Sequence, residues 1–383
     1  MQLTDPPFVT EEHRALRDQL RRFVAAEIRP HAAAWEEEGA TPRTLLRRMG
    51  ELGFLGIRHD PAYGGSGMDP LGSVILAEEL GRSGFGGVAI TVLVHTDMAS
   101  PHLAHAGTPE QKARWLPRVV SGEAITAIAV TEPGAGSDVA GLATRARRDN
   151  AGWVLEGRKL YITNGVLADL TILAARTDPA AKPSRGITLF LVPRGTPGLR
   201  VARQLDKSGW RSSDTAELEI DGLRLTDADI LGEPDRGFHA IMHNFQNERL
   251  VLGAQALGEA QRALEITLDW LRTRQAFGAP LWQRQAIRQR LAARWSEIAA
   301  ARALVYQTAA QIAAGQDCRT AVSAIKALCG ELVNRVMYDC QQFHGGAGYM
   351  SGTEIERLVR DARVQSIGGG ATEVMLEEVA KGM

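Results

Sequence analysis

Cysteine is scarce in this chain of 383 residues, with only Cys318, Cys329 and Cys340. Three are too few for a disulfide framework. Their even spacing would place them on one face of a straight helix, but it is no zinc-ligand spacing. They read as small buried residues, and no metal site is expected. An excess of one charge is also lacking. The formal net charge is -1, which leaves no electrostatic footprint for a nucleic-acid partner. No apolar run is long enough to span a membrane. Met1 to Val9 holds two prolines and an aspartate in place of the basic start and apolar run of a signal peptide. The cytosol is therefore the expected compartment, and the abundance of Ala and Arg suits a bacterial source. Internal repeats of solenoid length are absent as well.

What is present is ordinary for a soluble protein: 44% hydrophobic and 23% charged residues. The length suggests two or three packed domains. Residues 1–123 read as helical. Leu16, Leu20, Phe23, Val24 and Ile28 recur at helical spacing between Glu11 and Ala34, with Pro30 ending or kinking the helix. Thr41-Pro42 predicts a second helix capped by Thr41. Tyr63 to Gly67 is a loop. Pro70 to Arg82 and Ile90 to His105 predict further helices, and Thr108-Pro109-Glu110-Gln111 opens a fifth.

Residues 124–237 change character. Short β-prone runs at Trp153–Leu155, Leu160–Ile162, Leu170–Ala174, Ile187–Val192, Leu199–Val201 and Ala216–Ile220 are separated by turn residues. They predict a small antiparallel sheet or barrel. Residues 238–383 return to helix, with long stretches from Phe238 to Thr273, Ala286 to Gly315 and Arg319 to Phe343. The fold class is α+β, in the order helical, β, helical.

Three kinds of loop suit a cofactor. Thr131-Glu132-Pro133-Gly134-Ala135-Gly136-Ser137-Asp138 offers small residues and hydroxyls to a phosphate. It equally fits a plain loop at a sheet edge. Val139 stands where a dinucleotide fingerprint needs a third glycine, and no βαβ unit follows, so a Rossmann site is excluded. Tyr161-Ile162-Thr163 suits a planar heteroaromatic ring, or simply a strand end with Tyr161 in the core. Arg274 to Gly278 and Gln342 to Tyr349 each end a helix with glycine; they suit a diphosphate, or a helix stop.

One carboxylate stands out. Helical spacing puts Glu248 on a stripe with Ile241, Phe245 and Leu252. A carboxylate there is costly unless paired or neutral. Arg249 points about 100° away on an ideal helix. Burial would raise the Glu248 pKa and make it a stronger base; pairing with another subunit or a place at the wet edge of the stripe would explain it too.

These segments together resemble the acyl-CoA dehydrogenase family over nearly the whole chain. Leu52 to Ile57 with Tyr63-Gly64-Gly65, Gly107 to Lys112, Thr131 to Asp138, Lys159 to Gly165, Lys207 to Thr215, Arg274 to Gly278 and Gln342 to Tyr349 match in order. The resemblance implies an N-terminal helical domain, a central β-domain and a C-terminal four-helix domain. It implies FAD as cofactor, an acyl-CoA substrate dehydrogenated to the trans-2-enoyl-CoA as in fatty acid β-oxidation, electron-transfer flavoprotein as acceptor, and a homotetramer built as a dimer of dimers. The residues it assigns to FAD are Ile128, Thr131, Gly136, Ser137, Tyr161, Ile162, Thr163, Arg274, Phe277, Gln285, Gln342, Gly345, Gly346 and Thr372, several of them serving a neighbouring subunit. Ser137, Phe245, Arg249 and Gly369 are assigned to substrate.

Most of the family carries its catalytic glutamate in the turn that here reads Ile367 to Thr372, and Gly369 fills that slot. The isovaleryl-CoA and long-chain branches carry it just before an arginine on the helix after the β-domain. Glu248-Arg249 matches, so Glu248 is the expected base. Tyr338-Asp339-Cys340, His344-Gly345-Gly346 and Asp361 to Gln365 look most like the long-chain branch. Ala371 stands where a threonine is usual. The alternatives are the same reaction on an acyl carrier protein thioester, a flavin monooxygenase, and a non-catalytic homologue.

Overall fold

The computed structural model of the protein describes residues 4–383. It opens with α1 (Glu11–Phe23), α2 (Ala32–Glu38), α3 (Arg43–Glu51), α4 (Pro70–Gly81), α5 (Gly86–Leu93), α6 (Ser100–Ala106) and α7 (Pro109–Val120). Thr10 and Thr108 cap α1 and α7 through reciprocal boxes with His13 and Gln111. The single helix expected from Glu11 is divided. A wider π-turn, Val24–Ile28, follows α1, and α2 begins only after Pro30, which has no N–H to donate. The helix expected from Ile90 starts at Gly86 and passes through a second π-turn, Val94–Ala99, before α6. Thr41 does not cap α3. Its buried hydroxyl donates to Ser212 O at 2.7 Å, Pro42 stands at the cap, and Arg43 is the first helical residue. A tertiary partner has taken the hydroxyl that local sequence offered to the helix.

Eight strands follow: β1 (Thr126–Ala129), β2 (Arg145–Asp149), β3 (Gly152–Thr163), β4 (Leu170–Arg176), β5 (Ile187–Pro193), β6 (Leu199–Gln204), β7 (Thr215–Leu225) and β8 (Ile230–Leu231). They form one sheet in the order β6-β7-β3-β2-β4-β5-β8, with β1 beside β4. The pairings are antiparallel except that β4 runs parallel to β1 and β2. On β4, Leu170, Ile172 and Ala174 face a core shared with Leu103 and Leu116 of the helices. Leu173 and Ala175 face Trp153, Phe190 and Leu218, as the two-residue period of a strand requires.

The chain ends with α8 (Gly237–Thr273), α9 (Gln285–Ala313), α10 (Arg319–His344), α11 (Gly346–Tyr349), α12 (Glu354–Ala362) and α13 (Thr372–Ala380). The first and last helical regions share one continuous core, from Leu20, Leu46 and Leu76 to Val251, Leu257, Ile325 and Val336. The helix α4 is buried along its whole length. It crosses α8 so closely that a Cβ on Gly258 would lie 2.0 Å from Glu78 O, and one on Gly81 2.3 Å from Gln255 O. Only glycine permits that approach. Glu78 and Glu79 on this helix are met by Arg302 at 2.6 Å and Arg17 at 3.8 Å, which compensates for the burial of two carboxylates. The crossing fixes α8, the helix that carries Glu248.

Candidate active site

Helical periodicity puts the stripe of α8 where it was expected. Ile241 is 0%, Glu248 8% and Leu252 4% exposed, with Phe245 half-buried beside them. Glu248 Oε1 accepts a hydrogen bond from Asn244 Nδ2 at 3.0 Å, one helical turn back. The same amide nitrogen lies 3.2 Å from Asp97 O and 3.0 Å from Met98 O, both in the second π-turn. Burial pushes the Glu248 carboxyl up to about 8. The Asn244 hydrogen bond and the Arg249 charge oppose that rise, while Asp97 adds to it. Arg249 forms no close ion pair with it. Its Nη1 donates to Ser323 Oγ at 3.4 Å and its guanidinium lies 5.6 Å from the Phe245 ring centroid. A carboxylate that is buried, unpaired and raised toward neutral pH has the properties of a general base.

The glycine turn after α12 lies against this helix. Gly369 has φ +64° and Gly370 φ +104°, both in backbone regions that favour glycine. A Cβ on Gly369 would lie 2.3 Å from Leu252 Cδ1, so a side chain in that slot would have to shift the end of Leu252, one turn beyond Glu248. Lys326 on α10 grips the turn from below. Its Nζ donates to Gln365 O at 2.6 Å and Gly370 O at 3.1 Å. It is 1% exposed, and burial pushes its amine down to about 8. Thr372, at the start of α13, donates to Glu331 Oε1 of α10 at 2.8 Å, so α10 holds both ends of the turn.

On the sheet side, Leu160 N donates to Thr131 O at 2.9 Å and stitches the loop after β1 to β3. Glu132 is held by Lys159 at 2.7 Å and by the backbone N–H groups of Ala143 and Thr144. This buried pair folds residues 132–144 back over themselves. A Cβ on Gly134 or Gly136 would meet nothing within 4 Å, and Ser137 is exposed beside them. Tyr161 has φ +61° and is 66% exposed. A strained residue that displays its ring is a feature of functional surfaces. Ile162 is buried, while Ile128 and Thr163 are half-buried. Open glycine backbone, three hydroxyls and a displayed aromatic ring fit a flat heteroaromatic group carrying a pyrophosphate.

A second group of expected cofactor residues gathers at the far end of α8. Arg274, Gln285, Gln342, Gly345 and Gly346 are exposed there, and Phe277 is 95% exposed with φ +52°. Trp270 joins their segments: it stacks on His344 at 5.1 Å, donates to Phe343 O at 3.1 Å and lies 5.7 Å from the Arg274 guanidinium. Arg274 follows Glu248 by 26 residues, along α8, or about 39 Å at the helical rise. The chain therefore collects its expected cofactor residues in two places.

Asn244, Lys326 and Trp270 carry much of this geometry and were not singled out from sequence. For Lys326 a signal existed, because Val322, Lys326, Cys329 and Val333 share one buried stripe. Cys318, Cys329 and Cys340 are free and buried.

Family models match three consecutive stretches: acyl-CoA dehydrogenase N-terminal domain over residues 10–123, middle domain over 127–223 and C-terminal domain over 235–383. The chain belongs to the acyl-CoA dehydrogenase family. The mitochondrial long-chain specific acyl-CoA dehydrogenase of Sus scrofa is 38% identical over 97% of this chain and 86% of its own. The structure of an acyl-CoA dehydrogenase from Geobacillus kaustophilus superposes with a TM-score of 0.96 at 40% identity, covering 99% of each chain. A glutaryl-CoA dehydrogenase from Mycobacterium smegmatis in complex with FADH2 superposes with a TM-score of 0.92 at 29% identity, covering 97% of this chain and 94% of that one. As a member of this family the protein is an oxidoreductase with the three-part acyl-CoA dehydrogenase fold. Among the described residues no helix is long and apolar enough to cross a membrane.

Proposed function

We propose that this acyl-CoA dehydrogenase family member converts an acyl-CoA thioester of medium, long or branched chain to the trans-2-enoyl-CoA, with Glu248 as the base. The observation that carries this reading is Glu248 itself, buried on an apolar stripe, without a cationic partner, and raised to about 8. FAD, when bound, would supply the acceptor for the β-hydrogen and its electron pair, with an electron-transfer flavoprotein as the proposed outlet for the electrons. The rest of the chemistry belongs to the chain. Glu248 removes the α-proton, and the pair from that C–H bond closes the C2–C3 double bond. The backbone N–H of Gly369 is assigned to the thioester carbonyl, where a donor stabilises charge developing on oxygen. Phe245, Arg249 and Ser137 line the substrate.

Thr131, Thr163, Tyr161, Ile128 and Ile162 hold the flavin ring, and Gly136 and Ser137 its pyrophosphate. Thr372 is assigned to FAD by the family resemblance. Arg274, Phe277, Gln342 and Gly346, exposed at the far end of α8 with Gln285 and Gly345, are assigned by the same resemblance to the FAD of a neighbouring subunit. This reading requires an oligomer, and a homotetramer built as a dimer of dimers satisfies it. Residues 1–123, 124–237 and 238–383 form the three domains, and the protein works in the bacterial cytoplasm.

The test is anaerobic titration of the bound flavin with acyl-CoAs of four to eighteen carbons, followed by mass analysis of the thioester. Flavin bleaching with loss of two hydrogens from the acyl group supports the reading and gives the chain length. Flavin that only acyl carrier protein thioesters reduce reassigns the carrier. Flavin that neither reduces overturns the reading.

A further inference from the structure

The base does not stand alone on its stripe. A regular α-helix consumes its own carbonyls, but the π-turn Val94–Ala99 shifts the hydrogen-bond register and frees acceptors toward its neighbour. Asp97 O and Met98 O are turned to α8, where Asn244 Nδ2 meets them at 3.2 and 3.0 Å. Asn247, three residues on, donates to Asp97 O at 2.9 Å and accepts from Arg58 Nη1 at 2.6 Å. Asn244 is 4% exposed, so water does not compete for its two amide hydrogens. One serves the π-turn carbonyls and the other reaches Glu248 Oε1 at 3.0 Å.

We infer that Asn244 is the positioning residue of the catalytic base: anchored to the π-turn, it fixes the Glu248 carboxylate for proton abstraction and favours its ionised form. This rests on the reading of Glu248 as base. An amide has a donor and no charge, so it can stabilise a carboxylate without neutralising it as an ion pair would. A guanidinium at the same distance would hold Glu248 as a weak base. The charged and titratable groups around Glu248 are few. Arg249 lies on its own helix and Asp97 on the π-turn. Arg58 reaches only Asn247. Glu378 on α13 acts on Arg249, and Arg249 acts on Lys326 of α10. Among the described residues Asn244 is the one side chain that hydrogen-bonds the carboxylate.

The expected signature is a shift in pH dependence. Removing the donor raises the pKa of Glu248, leaves a smaller ionised fraction at neutral pH, and slows proton abstraction there; the loss shrinks at alkaline pH. The experiment is the pH profile of anaerobic flavin reduction by a saturating acyl-CoA in the wild-type holoenzyme, Asn244→Leu, Asn244→Asp and Glu248→Gln. Asn244→Leu preserves shape without the donor, and Asn244→Asp places a second carboxylate beside the first. Both are expected to reduce flavin about 10- to 100-fold more slowly near neutral pH, the loss expected for a hydrogen bond to a charged group. Both profiles should move to higher pH, that of Asn244→Asp further, with KM nearly unchanged. An unmoved profile in Asn244→Leu overturns the inference even if its Tm falls, because a purely structural role alters stability and not the midpoint. Should Asn244→Leu fail to fold, an unmoved profile in Asn244→Asp overturns it equally. Rapid reduction in Glu248→Gln would instead remove the base itself, and with it the reading on which this inference stands.

Discussion

Gly369 lies against Leu252, one helical turn beyond Glu248, so closely that a Cβ on the glycine would sit 2.3 Å from Leu252 Cδ1. A side chain in the glycine slot would have to displace the end of the Leu252 side chain. Gly369→Ala should therefore destabilise the protein for two separable reasons. A side chain at φ +64° costs about 1–2 kcal/mol, and the collision with Leu252 adds to it. Leu252→Ala removes the collision and leaves the strain. Denaturant unfolding of the two single variants and the double variant should give a double mutant less destabilised than the sum. Strict additivity would mean the two residues do not touch.

Lys326→Met removes both donors from the carbonyls of Gln365 and Gly370. The turn that presents Gly369 then loses its tie to α10 through Lys326, while Gln365 keeps its bond to Glu259. Flavin reduction by acyl-CoA is expected to slow about tenfold, in line with a loosened hydrogen-bond donor at a developing oxyanion. Flavin content should be preserved, since Lys326 touches the turn and not the sheet. Stopped-flow reduction and the flavin-to-protein ratio separate the two effects, and an unchanged rate would remove Lys326 from the account.

Glu259 is buried, away from Glu248, and accepts hydrogen bonds from Gln255 at 2.8 Å and Gln365 at 3.3 Å. Burial, reinforced by Asp361, raises its carboxyl to about 8. Between an unfolded value of 4.5 and that folded value, the folded state binds more protons than the unfolded one. Its contribution to stability is therefore fully present below the unfolded value and lost as pH rises through the folded one. Glu259→Gln has no proton to lose. The Tm gain of the variant should be small near about pH 5 and larger near about pH 8, as thermal unfolding at the two pH values would read. A gain independent of pH would contradict the assigned titration.

Phe277 is 95% exposed, so Phe277→Ala removes almost no packing within its own chain. If its ring contacts FAD, the variant should bind FAD more weakly than wild type while the apoprotein unfolds at the same temperature. Flavin retention on gel filtration reads this directly, and full retention would take Phe277 out of the cofactor site.

Much of the architecture was legible because its signals were local. Thr108-Pro109-Glu110-Gln111 opened α7 as its residues predict, and the Glu248 stripe followed from helical periodicity alone. The parts that were not legible depend on distant partners. Thr41 gave its hydroxyl to Ser212. The strand β2 is a charged segment, Arg145 to Asp149, that pairs with β3 and buries only Ala146. The strand β1 is four residues of Thr, Ala and Ile made into a strand by β4. The π-turn that receives Asn244 has no sequence signature, and the apolar stripe of Val322, Cys329 and Val333 shows that Lys326 is buried without showing which carbonyls it meets. At the site, the place of Glu248 on its buried stripe was readable and its hydrogen-bond partner Asn244 was not.

The most direct test of the central claim is anaerobic stopped-flow mixing of the FAD-loaded enzyme with an acyl-CoA that reduces it, in wild type and in Glu248→Gln. Glutamine keeps the size of the side chain and can accept the Asn244 hydrogen bond, but it cannot take a proton. The account predicts that flavin remains bound and oxidised in the variant, with reduction slowed about 100-fold or more. Reduction at the wild-type rate would show that another group removes the α-proton.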